Sequence, residues 1–138
     1  MKMINRLQIS RGLILIVLFL NLQCAIQFIF FPERYVYGFE LVDEPGSIAV
    51  QGIGILFMMW NIPYIFAAFD PSKNFISLLE AVIMQGIGLA GETALYYSLT
   101  GEHASLRITA TRFIFFDAGG LLALLVALLI VKNSLRER

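Results

Sequence analysis

Cysteine, histidine and charged residues are scarce in this sequence. The 138 residues include one cysteine, one histidine and 14% charged residues, whereas about a quarter of the residues of an average soluble domain are charged. The single cysteine, Cys24, excludes an intramolecular disulfide, a CxxC redox pair and a Cys-rich metal site. His103 has no second ligand at metal-binding spacing, so we expect no metal and no cofactor. No basic block indicates nucleic acid binding.

Catalytic motifs are also missing. The sequence contains no nucleophile elbow, no P-loop and no paired-histidine motif. A membrane enzyme that uses Glu92 or Asp117 as a general acid or base remains an alternative, but no second catalytic group stands out beside either carboxyl. We therefore predict no catalytic residues, and the sequence favours a protein that is not an enzyme.

Long apolar segments dominate the chain. It is 59% hydrophobic with a mean hydropathy of +0.80, and the apolar segments cover about residues 12–31, 47–69, 75–99 and 108–131. A helix of about twenty residues crosses a hydrocarbon core of about 30 Å. The first segment has a basic flank but no cleavage site after it, so we expect it to be retained. These features predict an all-α fold: a single domain, residues 1–138, that forms an integral membrane four-helix bundle with antiparallel up-down topology.

Turn signals and basic residues predict the path and the orientation of the chain. Pro45-Gly46 indicates a turn before the second span, and Pro63 indicates a kink inside it. Lys and Arg are enriched on cytoplasmic flanks, and they collect on one predicted side at Lys2, Arg6, Arg11, Lys73, Lys132, Arg136 and Arg138. The other side has Arg34 and Arg107. We therefore expect a multi-pass protein of the cell membrane with both termini cytoplasmic.

One stripe on the third span is polar and small. Gln85, Gly88, Glu92 and Tyr96 stand at i, i+3, i+7 and i+11, which places them on one face of a helix. A charge deep in a bilayer costs at least about 2.5 to 3.5 kcal/mol, so an intramembrane Glu is paired or functional by default. The stripe should face protein.

The depth of each polar side chain in its span predicts two layers of polar residues. In the outer layer, Glu92 and Arg112 lie roughly 7 to 10 Å below the outer ends of the third and fourth spans. Their matching depth predicts an interhelical ion pair that fixes helix register, or else an anion or headgroup site that uses Arg112. Gln51 and Tyr96 lie near that depth and are able to join either arrangement.

The middle layer contains Asn61, Gln85 and Asp117, each about 9 to 14 Å from a span end, and Asn21 and Gln23 of the first span are close to them in height. One interpretation is a satisfied polar network that holds the helices together, in which each contact contributes about 0.6 kcal/mol. The other is a proton-linked or ligand-binding role for Asp117. Glu80, about one turn from a span end, is expected to snorkel or cap, and Trp60 to pack or to form a pocket wall.

Three classes of function stay open. The first is a small amphipathic molecule or lipid bound between the second, third and fourth spans, with its polar end near Arg112 and Glu92 and its apolar body along Met58 and Leu89. The surplus of polar groups motivates this hypothesis, because hydrocarbon does not satisfy them. The second is an ion- or proton-coupled transporter or channel, which at this size needs a homo-oligomer. The third is a structural accessory subunit of a larger membrane complex.

Overall fold

The computed structural model describes residues 2–137, and these residues form helices and connecting turns without a strand. The all-α prediction is therefore confirmed. The helices are α1 (Lys2–Phe30), α2 (Asp43–Trp60), α3 (Ile62–Phe69), α4 (Phe75–Ser98) and α5 (Ala104–Arg136). Two short 3₁₀ turns, Pro32–Arg34 and Val36–Phe39, lie between α1 and α2. Arg138 and the side chain of Lys2, both used above to predict orientation, lie outside the described residues.

Four helical segments are long and apolar enough to cross a membrane. They are Arg6–Phe30, Asp43–Phe69, Phe75–Ser98 and Ala104–Arg136, with 24 to 33 residues each. At 1.5 Å per residue, even the shortest exceeds a hydrocarbon core of about 30 Å. Large apolar side chains cover the outward faces, among them Phe19, Ile76, Phe115 and Leu122. Such continuous apolar surface is typical of contact with lipid.

Three of the four segments begin earlier than hydropathy predicts, whereas α4 begins at Phe75 as predicted, and one predicted turn is wrong. α2 begins at Asp43 rather than near residue 47, so Pro45 and Gly46 lie in its first turn. Proline is accepted there because the first turn of a helix has no backbone partner for its N–H groups. Gly46 is buried against Val36, where a Cβ atom would come within 2.5 Å of the valine side chain. Because Gly46 has no Cβ atom, the preceding loop is able to fold back onto the helix.

The predicted kink at Pro63 is a full interruption of the helix. α2 ends at Trp60, Asn61 joins the two segments, and α3 begins at Ile62 with Pro63 in its first turn. Proline lacks an N–H and crowds the carbonyl one turn earlier, so the helix cannot continue unbroken. Asn61 compensates in part, because its Nδ2 donates to Phe57 O at 2.6 Å. The break brings the Asn61 side chain into the bundle, where it is 1% exposed.

Two different kinds of packing close the two ends of the bundle. At the end near both described termini, an aliphatic core of buried side chains from α1, α3, α4 and α5 includes Ile14, Val17, Tyr64, Leu78, Leu124 and Val131. At the opposite end, aromatic rings surround Phe28, whose centroid lies 4.7 to 6.2 Å from those of Tyr35, Phe39, Phe57 and Phe113. The space between these two regions holds the candidate site.

Hydrogen bonds that involve side chains hold the loop between α1 and α2 against the start of α5. His103 Nδ1 donates to Glu40 Oε2 at 2.6 Å, Leu106 N donates to Glu40 Oε1 at 3.2 Å, and Thr109 Oγ1 donates to Gly38 O at 2.6 Å. The hydrogen bond from His103 lowers the pKa of the Glu40 carboxyl below its ordinary value. His103, for which no metal-ligand partner is predicted from spacing, is half-exposed and paired with Glu40.

The loop at residues 70–74 is as short as predicted. Asp70 Oδ1 accepts hydrogen bonds from the backbone N–H groups of Ser72 and Lys73, each at 3.1 Å. The bond from Lys73 N makes the largest contribution to lowering the pKa of the Asp70 carboxyl. This tight turn carries the chain from α3 directly into α4, so the two helices pack against each other.

Candidate functional site

A cavity of about 270 Å³ lies in the middle of the bundle. All four candidate membrane-spanning segments contribute to its wall: Asn21 from α1, Phe57 and Asn61 from the second segment, Gln85 from α4 and Asp117 from α5. Its volume is close to the lower end of the range of about 300 to 1,000 Å³ that is usual for small-molecule sites. The cavity is large enough for one small molecule.

A chain of hydrogen bonds joins three helices beside this cavity. Tyr64 Oη donates to Gln85 Oε1 at 2.5 Å, and Gln85 Nε2 donates to Asp117 Oδ1 at 2.8 Å. Tyr64 is fully buried and also lies 3.2 Å from Ala81 O. Gln85 therefore uses both ends of its amide within the protein, and the chain holds the Asp117 carboxyl in a defined position.

Two glycines make room for this arrangement. A Cβ atom on Gly88 would lie 2.5 Å from Asp117 Oδ2, and one on Gly120 would lie 2.8 Å from Gln85 Nε2. Any larger residue at these positions would displace the side chain opposite it. The close approach of α4 and α5 thus depends on glycine, as is common where helices pack tightly.

Two carboxyl groups face the same cavity. Glu92 lies two turns after Gln85 on α4. Glu92 and Asp117 both line the cavity wall, and their carboxyl groups lie close enough to interact. Like charges at short range in a low-dielectric space repel each other strongly. A proton, a donor group or a positive charge placed between them would relieve that repulsion.

Two oxygen atoms beside the cavity have no hydrogen-bond partner. They are Asn61 Oδ1 and Glu92 Oε2, both of which are shielded from solvent. Leaving a buried acceptor unsatisfied costs about 1 to 3 kcal/mol, so such atoms call for a partner. Both are on residues that line the cavity, and a bound molecule with donor groups would satisfy them.

Aromatic side chains form much of the remaining wall. Phe57, Trp60, Phe113 and Phe116 all line the cavity. Phe57 and Phe113 also belong to the aromatic cluster around Phe28 and are in edge contact at 6.0 Å between centroids. Trp60 was expected to pack or to form a pocket wall, and it lies in that wall while packing against the aliphatic core.

The cavity has an opening on the surface of α4. Its rim includes Ile87, Gly91 and Leu95, which are exposed on the outside of the bundle. α4 packs against α3 and α5, whereas among the described residues no extensive contact joins α4 to α2. The gap between α2 and α4 therefore leads from the apolar outer surface to the polar interior.

Of the seven residues predicted for the site, four meet at the cavity and three lie elsewhere. The four are Asn61, Gln85, Glu92 and Asp117. Gln51 instead donates from Nε2 to Ile29 O at 3.1 Å, which ties α2 to the end of α1. Tyr96 lies under the Arg107 guanidinium, 5.4 Å from the ring centroid. Met58 and Leu89, predicted to contact the apolar body of a ligand, are not part of the wall either.

The predicted ion pair between Glu92 and Arg112 is wrong. None of the ion pairs among the described residues joins them, and Arg112 is exposed on the outside of α5. The physical reason is the direction of the side chain. Arg112 and Asp117 are five residues apart, which is about 140° around the helix, and Asp117 occupies the face toward α4. Two side chains at the same depth in the membrane meet only if each also points toward the other helix, and Arg112 points away from α4.

The described residues contain no group of three or more His, Cys, Asp or Glu side chains placed to hold a metal ion. Besides the two acidic groups, the side chains that line the cavity are amides and apolar groups. The lining residues therefore include no nucleophile with an adjacent base. Comparisons with protein families, with curated proteins and with solved structures find no match for this chain. The chemistry of the site must therefore be argued from its own side chains.

Proposed function

We propose that this chain is a multi-pass protein of the cell membrane that binds a small amphipathic molecule inside an antiparallel bundle of four helices. The observation that carries the proposal is the cavity of about 270 Å³, which has unsatisfied polar atoms at its inner end and an apolar rim at its outer end. A molecule with one polar end and one apolar end matches that gradient.

Contacts at the two ends of the bundle support the antiparallel arrangement. Arg6 Nη1 pairs with Glu137 Oε1 at 2.9 Å, beside the first turns of α1 and the last turns of α5. The Glu40–His103 pair joins the loop after α1 to the residue before α5 at the opposite end. The excess of Lys and Arg near the first of these ends supports a cytoplasmic location for both termini.

The gap between α2 and α4 supports entry from the membrane. The residues at its rim are apolar or glycine, and they belong to the surface that we propose faces lipid. An amphipathic molecule that partitions into the bilayer reaches such an opening by lateral diffusion. Its polar end then moves to the buried carboxyl and amide groups, while its apolar part stays near Ile87 and Leu95.

Mass spectrometry of molecules that co-purify with the protein tests this proposal. The wild-type chain should retain one amphipathic species through purification in detergent, and Glu92→Gln should lose it. Glu80→Gln is the matched control, because Glu80 is on the same helix, undergoes the same chemical change and lies outside the cavity. The proposal fails if the wild type retains nothing specific, or if Glu92→Gln retains the molecule as well as Glu80→Gln does.

The pair of carboxyl groups favours one alternative, an oligomeric proton- or ion-coupled transporter. Buried carboxyls that share a cavity are able to exchange a proton for another cation. Proteoliposomes separate this alternative from simple binding. Coupled transport requires uptake of a ligand that depends on a proton gradient and is lost in Asp117→Asn, whereas a binding protein gives occupancy without net uptake.

A further inference from the structure

We infer that the cavity between α2 and α4 binds an organic cation, a protonated or quaternary amine of small size, with its positive charge between Glu92 and Asp117 and against the aromatic wall. This inference rests on the proposed function, because it names the chemical class of the ligand for the same site. Three independent features of the wall carry it: its charge, its unsatisfied atoms and its aromatic rings.

The charge of the wall is of one sign. Glu92 and Asp117 are the ionisable residues that line the cavity, and no Lys, Arg or His is among the lining residues. Arg112, the residue expected to bring a positive charge, is on the outer face of α5. An anionic ligand would add negative charge beside the two acidic groups, with no cationic side chain on the wall to offset it, whereas a cation is attracted to them.

The two unsatisfied atoms at the cavity are of the same hydrogen-bonding type. Asn61 Oδ1 and Glu92 Oε2 are both acceptors, and Asn61 is 1% exposed, so water does not readily reach it. One N–H of the Asn61 amide is used by Phe57 O and one N–H of the Gln85 amide by Asp117. No donor among the described residues reaches either of the two acceptors, and an ammonium group provides donors or positive charge.

The aromatic rings suit the same ligand. Phe57, Trp60, Phe113 and Phe116 contribute to the wall beside the carboxyl groups. Aromatic faces attract cations, and groups of such rings are a recurrent binding site for ammonium groups. A neutral apolar ligand would also pack against the rings, but it would leave the Glu92 and Asn61 acceptors unsatisfied.

Binding of three probes of similar size tests the inference. The probes are phenyltrimethylammonium, its uncharged isostere tert-butylbenzene and the anion benzenesulfonate, measured by equilibrium dialysis against the protein in a maltoside detergent. Phenyltrimethylammonium should bind to one saturable site, and neither of the other probes should displace it. Preferential binding of the neutral or the anionic probe would overturn the inference while leaving the cavity as a binding site.

Two pairs of variants locate the site. Glu92→Gln should weaken binding of phenyltrimethylammonium about tenfold or more, because it removes a charge-assisted contact, and Glu80→Gln should not change it. Phe116→Leu should weaken the same binding roughly fivefold through loss of the cation–π contact. Phe115→Leu is its control, because Phe115 is next in the chain and 75% exposed. Equal effects within either pair would contradict the inference.

Competition with lipids identifies the source of the amine. Displacement by phosphatidylethanolamine but not by phosphatidylglycerol supports a lipid headgroup as the occupant. Displacement by neither lipid supports a free organic amine. Displacement by phosphatidylglycerol alone would contradict the inference, because that headgroup has no amine. If no probe binds and the purified protein retains no molecule, both the inference and the proposed function fail.

Discussion

Gly88 of α4 faces Asp117 of α5 so closely that a Cβ atom at position 88 would lie 2.5 Å from the carboxyl oxygen Oδ2. The neighbouring Gly86 has no heavy atom within 4 Å of the corresponding position. Gly88 therefore packs closely against a side chain of α5, whereas Gly86 faces open space. Gly88 is required by the site, and Gly86 is not.

Gly88→Ala should destabilise the protein by about 1 to 3 kcal/mol, because the added methyl group displaces Asp117 and weakens its bond to Gln85. Gly86→Ala should be neutral or stabilising by up to about 1 kcal/mol, since alanine is the better helix former. Unfolding in mixed micelles with increasing dodecyl sulfate measures both variants. Equal stabilities would show that Asp117 has another position available.

Tyr64→Phe should cost about 1 to 3 kcal/mol, because it leaves the Gln85 Oε1 acceptor buried without its donor. The substitution keeps the ring and removes the Tyr64 Oη that lies 2.5 Å from Gln85 Oε1. Tyr97→Phe is the control, since Tyr97 is 80% exposed. The same unfolding measurement applies, and a loss no larger than that of Tyr97→Phe would mean that this bond adds nothing to stability.

The pairing of Glu40 with His103 should make the first loop sensitive to acid. A carboxyl whose pKa is lower in the folded chain contributes stability above its unfolded pKa, and this contribution is lost as the pH falls through the folded pKa. The protection factors of the Leu106 and Thr109 amides, which are exchange rates corrected for the pH dependence of an unprotected amide, should therefore fall on acidification in the wild type.

Glu40→Gln should show lower protection factors already at neutral pH and little further change in them on acidification. Glu33→Gln, in the same loop and exposed, should behave like the wild type. If Glu40→Gln keeps the wild-type pH dependence, the effect arises from another group.

The predicted topology is tested by labelling single cysteines in a Cys24→Ala background. A cysteine at Asp43 should react with an impermeant maleimide added to intact cells, and a cysteine at Asn133 should react only after the cells are opened. The expected asymmetry follows from the Lys and Arg distribution. Labelling of position 133 alone, or of both positions equally, would contradict the orientation.

Hydropathy and helical periodicity were sufficient for the number of long apolar helical segments and for one wall of the site. The stripe Gln85, Gly88, Glu92 was predicted from spacing alone, and all three residues line the cavity. Tyr96, one turn further along, lies outside it because the wall on α4 ends at Leu95. Spacing shows which residues share a face, but it does not show how far along a helix the neighbouring helices remain in contact.

The other walls were harder to predict because aromatic residues are equally common on lipid-facing surfaces. Phe113 is four residues before Asp117, so helical spacing to that carboxyl was the available signal for Phe113. Phe116 is one residue before Asp117, about 100° around the helix, and spacing gave no such signal for it. Phe115, which lies between them, faces outward and is 75% exposed. The height of Asn21 in the first span matches that of the middle layer, but height does not show which helices α1 packs against, and only that packing brings Asn21 to the cavity.

Trp60 is the one tryptophan of the chain, and it lies in the wall of the cavity. Intrinsic fluorescence of the unmodified protein therefore originates almost entirely at the site. A molecule that enters the cavity changes the surroundings of the indole ring, so its arrival should shift or quench the emission without any attached dye. The purified protein has a built-in optical reporter, which makes it possible to screen compounds in reconstituted bilayers before any ligand is known.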